Sequence, residues 1–243
     1  MLDSATVSMP FQTGLPLPLV ATFDAPALTS DGGLLWLAAA DRALDLCATL
    51  ARDLPEQRAA NRRHSLLNLL RQRVFQIACG YEDQNDADTL RHDPLLKLVC
   101  GRLPVTDSPL ASQASLSRLD NLPSRRDCYR MAVALGELYL RRRGEEGPPA
   151  SLLLDFDAID DPTHGEQEGS AYHGYFRQHQ YHPLLVFDGD TDHLITALLR
   201  PGNAHAGRGA RAVLKRIVRA VRARWGRVPL AIRADAGFAL PAL

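Results

Sequence analysis

The chain has 243 residues, 46% hydrophobic and 23% charged, with 28 basic and 28 acidic side chains that cancel, a composition that excludes a disordered or fibrous protein and allows one large or two small domains. Cys47, Cys79, Cys100 and Cys128 include no CxxC pair, so neither a disulfide framework nor a thiolate zinc site is encoded and a reducing compartment fits. No basic start leads into an apolar run, and no stretch approaches the roughly 18 apolar residues of a membrane span, so a cytoplasmic location is expected.

In chain order, an extended opening around Leu17–Phe23 precedes Thr29-Ser30-Asp31, which can cap a helix from Leu34 to Leu50. His64–Gly80 carries Leu66, Leu70, Val74 and Ile77 at spacings of four, four and three, which predicts one apolar helix face ended by Gly80. Shorter helices are expected at Ala87–Leu90, Pro94–Val99, Ser115–Asn121 and Arg126–Arg141. Within Leu110–Asn121, Ser112 is a cap candidate. The helix it starts would bury Leu116 and Leu119 and turn Gln113, Ser115, Ser117 and Arg118 outward, toward phosphates and base edges or simply toward water. Arg141–Pro149, charged and then rich in glycine and proline, is the best internal boundary, separating a mainly helical region 1–145 from a second region 150–243.

The second region alternates strands with one helix. Ser151–Asp157 is an apolar run ending in acids, Tyr181–Phe187 is a second strand, and Asp188-Gly189-Asp190 turns into a third, His193–Leu199. Thr163–Gln180, which includes Gly165, Gly169 and Gly174, reads as a mobile loop beside the acids. A helix from about His205 to Trp225 and a strand Val228–Arg233 complete a β-β-β-α-β order, followed at once by Asp235.

Charge is segregated along this region. Ser151–Asp192 holds nine acids against Arg177 alone, whereas His193–Ala234 holds ten Lys or Arg and no acid. Acids hold divalent cations and basic residues hold phosphates, so the pattern suits a metal site facing a polyanion. If the first and fourth strands are parallel neighbours, Asp157 and Asp235 stand side by side at their carboxyl ends and can bind Mg²⁺ or Mn²⁺, although solvated turn acids would look the same. On a helical wheel Arg208, Arg211, Lys215, Arg219 and Arg222 form one stripe beside an apolar sector of Leu214, Ile217, Val218, Val221 and Trp225. The stripe fits a DNA backbone or a solvated face. His164, His173, His179, His182, His193 and His205 have no zinc-site spacing, and no GxGxxG, Walker A or GxSxG motif occurs.

Several phrases carry a resemblance: Ser30-Asp-Gly-Gly-Leu-Leu, His64–Val74, Ile77–Pro94, Asp160-Asp-Pro-Thr-His-Gly, Pro183–Asp190 and Leu199-Arg-Pro-Gly-Asn-Ala-His. Through them the chain resembles bacterial insertion-sequence transposases of the DDE type. The resemblance implies an α/β fold, in which the β-β-β-α-β order is the first part of an RNase H-like catalytic core preceded by a mainly α-helical, DNA-binding N-terminal region. It implies that Asp157 and Asp235 match the first two acids of the catalytic triad and bind two Mg²⁺ or Mn²⁺ ions in the full-length enzyme. Its partners would be the terminal inverted repeats and target DNA, paired by a homodimer, with Arg118 and the helix stripe among the DNA contacts.

Ile159 stands where relatives commonly carry Thr, which leaves Asp155 as second choice for the first ligand. The third acid is expected beyond residue 243, as in a chain truncated before the core closes and inactive alone. Two rival readings remain: a DNA-binding remnant that does not cut, and a phosphatase of the haloacid-dehalogenase type, whose opening Leu152–Ile159 approximates, with Asp155 as nucleophile and Asp157 as acid/base.

Overall fold

A computed structural model describes residues 28–55 and 62–239, and the backbone alone of residues 7–8 and 20–21. The chain divides into two units, residues 1–128 and 129–243.

In the first unit, strands β1 (Val7–Ser8) and β2 (Val20–Ala21) pair antiparallel. The rest of the expected extended opening, Leu17–Phe23, lies outside the described residues. The single helix expected over Leu34–Leu50 is two, α1 (Leu34–Leu44) and α2 (Leu46–Arg52), broken at Asp45 in a left-handed conformation (φ 58°). Buried Asp41 explains the break. One of its oxygens accepts the Cys47 N–H at 2.7 Å and the other meets Arg71 at 2.8 Å, so an acid inside the helix turns the chain around itself. The expected side-chain cap is also absent. Gly33 takes the cap position, Asp31 offers only its carbonyl to Leu34, and its carboxylate accepts the Tyr81 hydroxyl.

Helix α3 (Leu66–Ala78) starts at Ser65, whose hydroxyl accepts the Asn68 N–H, and Gly80 follows it at φ 89° as expected of a terminator. Its buried face is rotated from the one expected. Ile77 is exposed and Val74 half-buried, whereas Leu66, Leu69, Leu70 and Phe75 are buried together with Gln72 and Gln76. The Gln72 amide explains the rotation, because it exchanges two 2.9 Å hydrogen bonds with the Ala111 backbone. Helices α4 (Ala87–Leu90), α5 (Pro94–Val99) and α6 (Gln113–Asp120) follow, and α1, α3 and α5 share a core of Leu34, Leu35, Ala38, Phe75, Leu95 and Leu96.

Helix α7 (Arg125–Arg143) runs into the glycine-proline stretch. Tyr139 and Leu140 near its end belong to the core of the second unit. Strand β3 (Leu152–Ala158) buries Leu152, Leu154 and Phe156. The stretch after it is not a loop. It forms a three-stranded sheet of β4 (Asp161–Pro162), β5 (Ala171–His173) and β6 (Gln178–Tyr181), in the order β4-β6-β5. Strands β7 (Leu184–Asp188) and β8 (His193–Leu198), helix α8 (Ala210–Trp225) and strand β9 (Leu230–Ala234) complete the unit. The main sheet has the order β8-β7-β3-β9, with β3 antiparallel to β7 and parallel to β9. Ile217 and Val221 of α8 pack with Leu152, Leu154 and Val186 in its core.

Candidate active site

Side chains alternate along a strand, so the burial of Leu152, Leu154 and Phe156 places Leu153, Asp155 and Asp157 on the other face of β3. The register with β9 pairs Asp155 with Arg233 and Phe156 with Ala234. One step further, beyond the last pair, Asp157 and Asp235 stand level at the carboxyl ends of adjacent parallel strands.

Each acid has a distinct setting. Asp157 is exposed, and its carboxylate makes no hydrogen bond or ion pair among the described residues. Asp235 caps a 3-10 turn, Ala236–Phe238, with Oδ1 accepting the Gly237 N–H at 2.9 Å. That turn delivers Phe238 into the core against Phe156, ring centroids 6.3 Å apart. Asp155 is engaged by the Arg233 guanidinium, Nη2 to Oδ2 2.6 Å, and that hydrogen bond holds its carboxyl below the usual range. The second-choice metal ligand, which is also the nucleophile of the phosphatase reading, thus has one oxygen committed to Arg233, while Asp157 stays open. Among the described residues, no group of three His, Cys, Asp or Glu is placed to hold a metal ion.

The charge pattern did not single out Asp188. It is fully buried, accepting the Tyr139 hydroxyl at 2.7 Å and the Arg143 Nε at 3.2 Å, with Oδ1 accepting the Asp190 N–H. Burial disfavours its charge, but the hydrogen bonds, led by Tyr139, outweigh this and keep the carboxyl below the usual range. It ties α7 to the sheet and leaves no oxygen open for a ligand. In sequence it resembled Asp190 and Asp192 of the same turn, and only the tertiary partners separate them.

Arg200 is likewise structural. Buried with no carboxylate partner among the described residues, it donates to the carbonyls of His182, Pro183, His205, Ala206 and Arg208, and burial lowers its pKa to about 10. Of the cationic stripe, Arg211, Lys215 and Arg219 are exposed on α8, Ile217 and Val221 are buried, and Leu214, Val218 and Trp225 are half-buried, as the wheel requires. Arg208 lies in the turn before the helix. Arg222 donates to the carbonyls of Gly226 and Val228 and closes the helix end. In the first unit, α6 buries Leu116 and Leu119 and exposes Arg118. Gln113, Ser115 and Ser117 are half-buried, and Ser112 stands at the cap position without a side-chain cap bond.

Fold and site define a mixed α/β domain with carboxylates at the carboxyl ends of two adjacent parallel strands. The chain belongs to the family described as transposase DDE domain group 1, whose profile matches residues 11–243, and it is thereby a DDE-type transposase. Comparison with curated proteins and with solved structures gave no match. No helix among the described residues is long and apolar enough to cross a membrane.

Proposed function

We propose that the second unit is built as an RNase H-like catalytic core, and that Asp157 and Asp235 hold divalent cations while DNA ends are cut and joined. The observation that carries this reading is the parallel β3-β9 register, which brings two acids 78 positions apart in sequence to the same level of the sheet. The three antiparallel strands followed by α8 and a parallel fourth strand support the core assignment.

The donor set fits hard cations. Asp157 is exposed with neither oxygen engaged by the described residues, and Asp235 keeps Oδ2 outside its turn. Bound Mg²⁺ or Mn²⁺ supplies activation of a water or 3′-hydroxyl and stabilisation of the leaving oxygen. The chain's own residues position those carboxylates: Phe156 and Phe238 fix the strand end, and Arg233 keeps Asp155 ionised but occupied. Arg211, Lys215 and Arg219 offer contacts to the DNA backbone, with Arg118 a further contact from the first unit, and two copies of the chain would pair two ends.

The test uses the full chain on DNA bearing its inverted repeats with Mn²⁺. Asp157→Ala and Asp235→Ala should each abolish nicking and weaken Mn²⁺ binding, read by electron paramagnetic resonance, while DNA binding persists. Cutting by both variants would overturn the assignment. Binding without cutting by the wild type would leave the DNA-binding reading, and hydrolysis of a small phosphomonoester would point to the phosphatase.

A further inference from the structure

The second unit carries a groove of about 750 Å³ between helices α7 and α8, floored by strand β8. Ala132, Gly136 and Leu140 line it from α7 at spacings of four, and Val213, Ile217 and Ala220 line it from α8 at spacings of four and three. Each helix therefore turns one apolar face toward the gap and not onto the other helix. Along α7 the lining runs from Tyr129 to Leu140, about 16 Å, which is room for about three helical turns.

The walls are tied together. Thr196 Oγ1 donates to the Ala132 carbonyl at 2.8 Å, which fixes α7 to the floor. The Arg216 guanidinium donates to the Tyr129 hydroxyl and lies 5.1 Å from the centroid of that ring, which joins α8 to α7. Gly136 is the best evidence for an occupant. Glycine inside a helix costs stability, yet among the described residues a Cβ at this position would meet only the Ile195 carbonyl oxygen, at 3.7 Å, an ordinary contact. Packing does not require the glycine, and what its missing side chain supplies is space in the groove. The rim is charged unequally. Lys215 and Arg219, one turn apart on α8, are exposed and their side chains engage no partner among the described residues, and Glu137 on the α7 wall is in the same condition.

We propose that this groove docks an acidic amphipathic helix of a protein partner. Apolar anchors at i, i+3 or i+4 and i+7 fill the gap that Gly136 widens, and carboxylates along the flank facing α8 pair with Lys215 and Arg219. A DNA backbone would use the two cations but leave the apolar floor uncovered, so a protein helix fits the groove better. The docking stands on the groove alone. Lys215 and Arg219 also belong to the stripe offered to DNA above, so partner and duplex exclude each other on α8, and that consequence rests on the transposase reading.

The probe is a synthetic peptide of about 12 residues, stapled as a helix, with leucines on one face and glutamates along one flank. Fluorescence anisotropy with the full chain should show saturable binding, lost when serine replaces the leucines. Gly136→Leu, which fills the groove, should weaken binding about tenfold or more. Lys215→Glu/Arg219→Glu should do the same, and should bind instead the peptide whose glutamates are replaced by lysine. If Gly136→Leu does not fold, Ala212→Glu, at an exposed position of the α8 wall, should weaken binding of the acidic peptide in its place. No binding by the wild type, binding insensitive to these variants, or equal binding of the serine peptide overturns the proposal. A chain that pairs with itself in sedimentation and comes apart on Gly136→Leu gives the groove to a second copy and overturns it too. On a labelled duplex, the acidic peptide should displace the DNA, and a complex holding both overturns the exclusion. A wild type that binds no duplex at all removes the DNA reading of the chain, and the peptide measurements still judge the groove.

Discussion

Phe156 and Phe238 meet edge to face in the core, 6.3 Å between ring centroids, and each is the near neighbour of an acid at the candidate site. Phe156 precedes Asp157 on β3, and Phe238 closes the turn that Asp235 begins. The aromatic pair is therefore the buried pin that sets two exposed carboxylates level. Phe238→Ala should destabilise the second unit by about 3 kcal/mol or more, as truncation of a core aromatic does, and should weaken Mn²⁺ binding although no ligand is removed. Urea unfolding and a Mn²⁺ titration measure the two effects. Metal affinity unchanged despite lower stability would show that the pin does not position Asp235.

Asp155 and Arg233 pair across the same two strands, two residues before Asp157 and Asp235, with both groups partly in solvent. The hydrogen bond from Arg233 lowers the Asp155 pKa, so Arg233→Gln should return it toward its ordinary value, and carboxyl carbon NMR titration reads the change. The sign is fixed by the direction: the pair favours folding above the unfolded pKa and loses that contribution as pH falls through the folded one. Stability should barely change at neutral pH, since exposed pairs contribute little. Asp155→Asn should leave cleavage largely intact, and complete loss of cutting would identify Asp155 as a ligand after all.

The network around Asp188 carries more. Tyr139→Phe removes a 2.7 Å hydrogen bond to a fully buried carboxylate and should cost about 1.5–3 kcal/mol, the usual range for a bond to a charged group. Because Asp188 titrates below its ordinary value of 3.8, its contribution is present above that pH and is lost as acid protonates the folded form. Urea midpoints measured between pH 6 and pH 3 should fall for the wild type and fall less for Asp188→Asn, which starts lower.

Much of this arrangement could be read from the sequence because its signals are local and periodic. The strand-end acids and the apolar sector of α8 follow from alternation or a helical repeat that the core then uses, and the β3-β9 register meets the condition that the first and fourth strands be parallel neighbours. What escaped depends on single polar side chains acting over distance. Asp41 breaks a helix that hydrophobic spacing alone would continue, and Gln72 rotates α3 by bonding to Ala111, 39 positions away. The small β4-β6-β5 sheet was hidden for a different reason. Its strands are short and polar, and most of their residues are exposed or half-buried, so no alternation of burial announces them.

Gly202 shows what the phrase Leu199-Arg-Pro-Gly-Asn encodes. A Cβ there would run into the carbonyl oxygens of Gln180 and Ala171, so backbone would have to move. Gly202→Ala should therefore destabilise the unit by about 3 kcal/mol, at the upper end of overpacking costs, or prevent folding. Arg200→Lys should also destabilise it, because a single ammonium cannot span the five carbonyls that the guanidinium reaches. Thermal melts of the two variants check both, and wild-type stability in either would show that this clasp is dispensable.

The cationic face of α8 separates binding from folding. Arg211, Lys215 and Arg219 are exposed, so replacing all three with Gln should leave the melting temperature nearly unchanged. If each meets a phosphate, the slope of log K against log salt on duplex DNA should fall by about 2.7 in all, roughly 0.9 for each phosphate neutralised. Arg222 is the internal contrast. Its guanidinium is tied to the carbonyls of Gly226 and Val228, so Arg222→Gln should lower stability and leave the salt slope close to that of the wild type. If the triple variant kept the full slope, the stripe would be a solvated face and the surface that meets DNA would have to lie elsewhere on the chain.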